Sequence, residues 1–222
     1  MARLKRTSNY LNQLQLAGYP RCDYLDALCQ ESKNSSDLAP FTQFQEDLWE
    51  EKDNMKPEFI GENTYSNLRG ISFEEFCFTT IGRIIENSSP IPEIKLFWNE
   101  RILTEEFLLF KDNHFSKHPK YKRVDLAIGM EQTNIIHPFS IMSCKVWQST
   151  NWLDEDRAIL DSIRVRYPAV IGYSLCMSLN VPKVSLISAQ RTGLQVYDFS
   201  IDGQYHEFVS DVRKSLQEIV GW

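Results

Sequence analysis

An aspartate and a lysine stand inside two β-rich runs. Asp125 lies within Val124-Asp125-Leu126-Ala127-Ile128, and Lys145 within Phe139-Ser140-Ile141-Met142-Ser143-Cys144-Lys145-Val146. Apolar, β-branched runs bounded by polar or turn-forming residues read as strands. Two neighbouring strands would bring a carboxylate and an ammonium group to one sheet edge. Such a pair suits metal-assisted phosphodiester hydrolysis, in which a metal shields the phosphate oxygens and a cation orients or deprotonates the attacking water. Asp125 then binds the metal, and Lys145 reaches the water or the scissile phosphate. Side chains alternate along a strand, so Ser143 and Lys145 point together and Cys144 offers its backbone carbonyl, a reasonable oxygen ligand for magnesium. The same spacing also fits an ordinary salt bridge at a sheet edge, and on spacing alone that plainer reading wins.

The elements that would carry these residues alternate along the chain. The first seventy or so residues are polar, with helical segments expected over Ser8 to Leu16, Asp23 to Gln30 and Phe41 to Glu51. Lys33-Asn34-Ser35-Ser36 and Asp53 to Gly61 read as loops. Ser72-x-x-Glu75 forms a capping-box pattern ahead of Phe73, Phe76, Cys77, Ile81, Ile84 and Ile85, which predicts a helix starting at Ser72. Pro90 to Pro92 end it. A strand follows over Glu93 to Trp98, then a short helix near Thr104 to Phe110 and a polar segment from Lys111 to Arg123. After the two opening strands, Asn151 to Tyr167 is helical by pattern. Ala169 to Cys176, Val184 to Ser188 and Leu194 to Phe199 read as strands, and Phe208, Val212, Leu216 and Ile219 form the apolar stripe of a last helix. This order implies an α/β fold, a mixed sheet with helices on both faces.

The chain has 222 residues, 42% hydrophobic and 24% charged, so a folded globular protein is expected. One domain is the reading adopted, with a polar helical part (about 1–70) packed on a core (about 71–222). A net charge of −6 argues against nucleic-acid binding by bulk positive charge, though not against a local basic surface. Five cysteines without a C-x-x-C pair do not suggest a disulfide framework. No apolar run is long enough to span a membrane, and the basic residues from Met1 to Arg6 lead into polar ones, not a signal core. A cytoplasmic, non-membrane protein is expected.

Asp125 with Lys145 resembles the core of the PD-(D/E)xK nucleases, with Val124 in place of the proline and Ser143 in place of the second acid. Ile141-Met142-Ser143-Cys144-Lys145-Val146-Trp147 and the later Asp156-Arg157-Ala158 are similar to the Ser-x-Lys branch typified by NgoMIV-type restriction endonucleases, where an acid farther along supplies the missing carboxylate. The place of that acid is Ile159 here, with Glu155 before it and Asp161 after it. The resemblance therefore implies Asp161 as a metal ligand, against the alternative that Asp154, Arg157, Asp161 and Arg164 form a solvated salt-bridged stripe. Phe73-Glu74-Glu75-Phe76-Cys77 is similar to that branch's Phe-Glu-x-x-Cys pattern and implies Glu74 as a further catalytic or metal-binding acid. By helical projection Glu74 flanks the buried stripe, and Glu75 points away.

The same resemblance implies a restriction-endonuclease-like sheet and a type II enzyme that hydrolyses double-stranded DNA with Mg2+. A palindromic site implies a homodimer or tetramer. Relatives that read CCGG place an Arg-Ser/Thr-Asp-Arg element after the lysine. Leu153-Asp154-Glu155-Asp156-Arg157 retains its Asp-Arg and implies base contacts from Asp156 and Arg157, with Gln148 and Ser149 also in reach of bases. By projection Asp156 falls among Trp152, Ile159, Leu160 and Ile163, where a carboxylate needs a partner. Lys111, Lys117, Lys120, Lys122 and Arg123 lead into Asp125, a basic approach suited to phosphates or simply to solvent. His114 and His118 sit beside Pro119 in a polar stretch, and a zinc site is not expected. Two other readings stay open: a structure-directed or repair nuclease of the same fold, and a non-catalytic DNA-binding protein using it.

Overall fold

A computed structural model describes residues 6–55, 59–88, 91–111 and 114–220. The start at Met1, the expected helix stop at Pro90, part of the Asp53 to Gly61 loop and the Lys111 side chain lie outside the described residues. Two compact units divide the chain, Met1–Thr80 and Ile81–Trp222.

The first unit is helical: α1 (Thr7–Leu16), α2 (Cys22–Asn34), α3 (Ala39–Glu50), the short α4 (Lys52–Met55) and the first part of α5 (Glu62–Ser88). Its core is aromatic. Phe41 stacks on Phe76 with ring centroids 4.3 Å apart and lies 5.9 Å from Phe73, while Leu14, Leu25, Leu48 and Leu68 are fully enclosed. α5 starts at Glu62, so Ser72 lies inside the helix and caps nothing. Tyr65 and Leu68 are buried on its first turns, too sparse a stripe to mark them in sequence. Freed from capping, Ser72 accepts a 2.7 Å hydrogen bond from Gln45 Nε2. The expected roles of the adjacent glutamates are reversed: Glu75 is buried and Glu74 half-exposed. Glu75 accepts the Thr7 N–H at 2.9 Å and pairs with Lys33 at 3.3 Å. Burial alone would raise its pKa, but the Thr7 and Lys33 contacts outweigh it and hold the carboxyl below its ordinary range.

In the second unit, β1 (Lys95–Trp98), β4 (Leu126–Gln132), β5 (Ile135–Lys145), β7 (Ile171–Cys176) and β9 (Leu194–Asp198) form one sheet in the order β1-β4-β5-β7-β9. β1, β4 and β5 pair antiparallel, and β5, β7 and β9 parallel. The sheet is mixed, as expected. α6 (Thr150–Arg164) and α7 (Lys183–Arg191) lie in the parallel crossovers, and α8 (Gln204–Val220) follows β9. β6 (Gln148–Ser149) and β8 (Leu179–Asn180) make a small parallel bridge.

Adjacent residues of β7 show the two faces. Gly172 turns toward α6, where a Cβ would sit 2.6 Å from Leu160 Cδ2. Tyr173 turns the other way, its ring 5.9 Å from Phe208 and its hydroxyl 3.1 Å from Ser215, both on α8. Helices thus flank both faces, and the bare glycine lets α6 sit close on β7.

Two expectations fail here. Thr104 to Phe110 is no helix: it lies in β2 (Arg101–Lys111), which pairs antiparallel with β3 (His114–Arg123), the polar segment that follows, as a hairpin. A short apolar run fits either period, and pairing with the strand that follows decided it. Val184 to Ser188 is not a strand but part of α7, which starts after Pro182 and buries only Ala189; Val184 and Ile187 are 73% and 39% exposed. No helix among the described residues is long and apolar enough to cross a membrane. All five cysteines are buried free thiols.

Candidate active site

The Asp125 carboxylate is fixed by the two strands that flank it. It immediately precedes β4, and its backbone carbonyl accepts the Asn99 N–H at 2.7 Å. Its Oδ2 receives the Cys144 backbone N–H at 2.8 Å and the Lys145 Nζ at 3.0 Å. The acid and the lysine that the sequence singled out therefore meet at the end of β5, both partly open to solvent at 24% and 31% side-chain exposure. In a strand the N–H and C=O of one residue turn to the same side. The Cys144 carbonyl consequently leans toward Asp125 as well.

A second carboxylate lies deeper. α6 buries Leu153, Asp156, Leu160 and Ile163 on the sheet, and its close seat on Gly172 carries Asp156 into a polar niche. Asp156 Oδ2 accepts Gln148 Nε2 at 2.7 Å and Ser174 Oγ at 2.8 Å. Burial pushes the Asp156 pKa up, opposed by Ser143, Ser174, Lys145 and Gln148. Ser143 Oγ and Gln148 Oε1 are buried oxygens without a well-formed hydrogen bond, although the Ser143 hydroxyl still acts on the Asp156 charge. Burial would also discharge Lys145, but Asp125 and, more weakly, Asp156 outweigh it and raise its pKa. Lys145 is an ammonium ion at neutral pH.

Asp125, Ser143, Lys145, Glu155 and Asp156 line a single cavity of about 240 Å³, with Arg123 at its wall. Of the acids weighed for completing the site, Glu155 is therefore at the cleft. Asp161 is not among the lining residues; it is exposed on α6, because the helix turns the Asp156 face inward. Glu74 belongs to the first unit, where its charge, after burial, raises the pKa of Tyr10. Among the described residues no three His, Cys, Asp or Glu side chains converge as a ready-made metal cage.

The expected base readers fare differently. Gln148 is fully buried and committed to Asp156 and Ser174, and Asp156 is only 6% exposed. Neither is presented at the surface in this arrangement. Arg157 donates to Ser188 Oγ at 3.0 Å and pairs with Asp154 at 3.4 Å. Ser149 holds the N-cap position of α6 without a side-chain cap bond. Lys122 is half-exposed and Arg123 exposed on β3, and Lys120 is paired with Glu105 at 3.3 Å. Ser174 went unnoticed in sequence, since a serine within a strand carries no signal of its own. Asp156 did carry one: a carboxylate on an apolar helix face.

No protein-family model matches the chain, and no curated protein matches it. Among solved structures it is similar to Can2 from Sulfobacillus thermosulfidooxidans in complex with cyclic tetra-adenylate, at 12% identity and a TM-score of 0.44, over 98% of this chain and 57% of that one. It is also similar to the native BbvCI A2B2 tetramer, at 14% identity and a TM-score of 0.39, over 81% of this chain and 82% of that one. The chain spans little more than half the length of the first. At these values neither similarity assigns an activity.

Proposed function

We propose that this chain is a Mg2+-dependent nuclease that hydrolyses phosphodiester bonds in double-stranded DNA, of the type II restriction class and its Ser-x-Lys branch. The observation that carries the proposal is the Asp125–Lys145 pair at 3.0 Å, opening on the same cavity as Asp156.

The donor set fits a hard cation. Every candidate ligand is an oxygen: the carboxylates of Asp125, Asp156 and Glu155, the Cys144 carbonyl and the unsatisfied Ser143 hydroxyl. Mg2+ is commonly held by one or two carboxylates, with waters and substrate phosphates completing its shell, so a ready-made cage is not required. When bound, the ion would neutralise phosphate charge and acidify water in the cleft.

The protein's own residues have separate tasks. Asp125, tethered by the Cys144 N–H, fixes one edge of the cation position. Lys145 keeps its proton, so it serves as a positive charge that orients water and stabilises negative charge on the phosphate, not as the base. Asp156 sets a second carboxyl group in the same cleft as the lysine, and Ser174 and Gln148 fix its direction. Arg123 and Lys122 would meet phosphates, and Arg157 and Ser149 remain the proposed contacts with bases. A palindromic target would require at least two copies.

Incubating supercoiled plasmid with the protein and Mg2+ tests this. Discrete fragments are expected, abolished by chelator and by Asp125→Ala. A smear or junction-specific cuts would favour the structure-directed nuclease. Unaltered activity in Asp125→Ala would overturn the catalytic assignment, and no cleavage of any DNA would leave the non-catalytic binding protein.

A further inference from the structure

The β2–β3 hairpin joins opposite charges in its middle and sets like charges face to face where it meets the cleft. Glu105 lies opposite Lys120 and pairs with it at 3.3 Å, and Glu106 pairs with Arg166 at 3.6 Å. At the other end Arg101 lies directly opposite Arg123. Residues so opposed carry their β-carbons about 4.5–5.5 Å apart, and like charges there destabilise a sheet. Both arginines are exposed, and neither guanidinium is hydrogen-bonded or ion-paired among the described residues.

The backbone pins this pair beside Asp125. Asn99 turns the chain from β1 into β2 in the left-handed region, at φ 55°, which asparagine tolerates better than most residues. Its N–H bonds the Asp125 carbonyl at 2.7 Å, and the Val124 N–H bonds the Glu100 carbonyl at 3.1 Å. Arg101 and Arg123 are thus each two residues from the Asn99–Asp125 bond, and Arg123 lines the same cavity as Asp125, Lys145 and Glu155. Asp125 is committed to Lys145 at 3.0 Å, and among the described residues neither it nor Glu155 pairs with the two arginines.

We propose that Arg101 and Arg123 act together as a clamp on one phosphate group. Guanidinium forks bind phosphate oxygens bidentately, and an anion between them turns a repulsion of the unliganded protein into charge-assisted contacts on both sides. Its place at the cleft makes the occupant a phosphodiester next to the one that is cut. That identification rests on the nuclease reading; the clamp itself requires only a phosphate and should hold the inorganic ion too.

Arg101→Gln, Arg123→Gln, the double variant and Arg101→Lys test the clamp in two assays, both without Mg2+ so that nothing is cleaved. Melting followed by circular dichroism compares inorganic phosphate with chloride at equal ionic strength. Phosphate should raise the melting temperature of the parent and leave the glutamine variants unmoved. In chloride at low ionic strength each single glutamine variant should melt no lower than the parent, because it removes a repulsion; an arginine of purely structural use would lower it. Anisotropy on a labelled duplex gives the second readout. Arg101→Gln should weaken binding about 10- to 100-fold, and the double variant should lose little more than either single one, since both side chains act on one phosphate. Arg101→Lys keeps the charge without the fork, and should retain the salt dependence while recovering only part of the affinity. A phosphate shift confined to the parent, with no duplex bound, leaves the clamp standing and counts against the nuclease reading. Losses that multiply in the double variant overturn the clamp, since two separate phosphates would then be held. So does a parent unmoved by phosphate together with Arg101→Gln binding the duplex as tightly as the parent.

Discussion

Replacing Asp156 by asparagine should make the protein more stable and inactive. Both hydrogen bonds to this side chain end on Oδ2, and an amide oxygen placed there keeps them. The new NH2 group would then face the niche in which Ser143 Oγ and Gln148 Oε1 lack partners. One added hydrogen bond contributes about 1 kcal/mol, and the cost of burying a charge disappears, offset in part by lost attraction to Lys145. A net gain of about 1 kcal/mol corresponds to a melting temperature roughly 2–4 °C higher for a chain of this size. Alanine should do the opposite. It strands the Ser174 hydroxyl and part of the Gln148 amide, at about 1–3 kcal/mol for each unsatisfied buried group.

The pH dependence gives the sharper test. Burial raises the Asp156 pKa, so the folded state holds this proton more tightly than the unfolded chain does. The associated cost to stability is absent below the unfolded-state value of about 3.9 and develops as pH rises through the folded one. The advantage of Asp156→Asn should accordingly grow as pH rises through the folded-state value and fade as the pH approaches 4. Thermal unfolding by circular dichroism between pH 4 and 7.5, with Mg2+-dependent plasmid cleavage measured in parallel, checks both halves. An asparagine variant no more stable than the parent at pH 7.5, or one whose advantage persists at pH 4, refutes the buried-charge reasoning. Undiminished cleavage refutes the part given to Asp156 in the chemistry.

Gly129→Ala should cost at least about 1–3 kcal/mol, because its Cβ would lie 2.4 Å from the His137 carbonyl oxygen; denaturant unfolding reads this directly. Gly70, inside α5 with open space around it, should gain about 1 kcal/mol from the same substitution. Glu75→Gln should lose about 1–3 kcal/mol at neutral pH. Its carboxyl is held below its ordinary range, so that contribution is complete above the unfolded-state pKa of about 4.3 and is lost as pH falls through the folded value; the parent and variant melting curves should merge in acid. If Lys122 and Arg123 meet phosphates, replacing each with alanine should lower the slope of log affinity against log salt by about 0.9, measured by fluorescence anisotropy on a duplex.

Legibility in the sequence followed how local each determinant was. Asp125 stands one residue before β4 and Lys145 ends β5, both strands marked by their composition, and the pairing of β4 with β5 (Leu126 opposite Met142, for example) brought them together. α6 was legible for the same reason, since its period showed which side would be buried. That period already placed Asp156 on the apolar face, so its carboxylate had to find partners inside the fold. It does so through Gln148 and Ser174, and this turns Gln148 inward, away from any base. Asp161 was carried by analogy of position, and five residues after Asp156 the helix leaves it exposed and outside the residues that line the cavity. Short apolar runs satisfy both periods, which is why the hairpin and α7 differ from expectation; for the hairpin the choice was made by the next strand, which sets Phe115 opposite Phe110 and Lys120 opposite Glu105. The Glu74–Glu75 reversal has a similar origin. Ser72 looked like a helix start only because Glu62 to Ile71 carries too few apolar residues to register as helix, and the helix that forms there directs Glu75 to the Thr7 N–H. Where a side chain answers to its own element, sequence predicts its direction; where it answers to a neighbour brought near only by folding, as Gln148 and Glu75 do, its task changes with that neighbour.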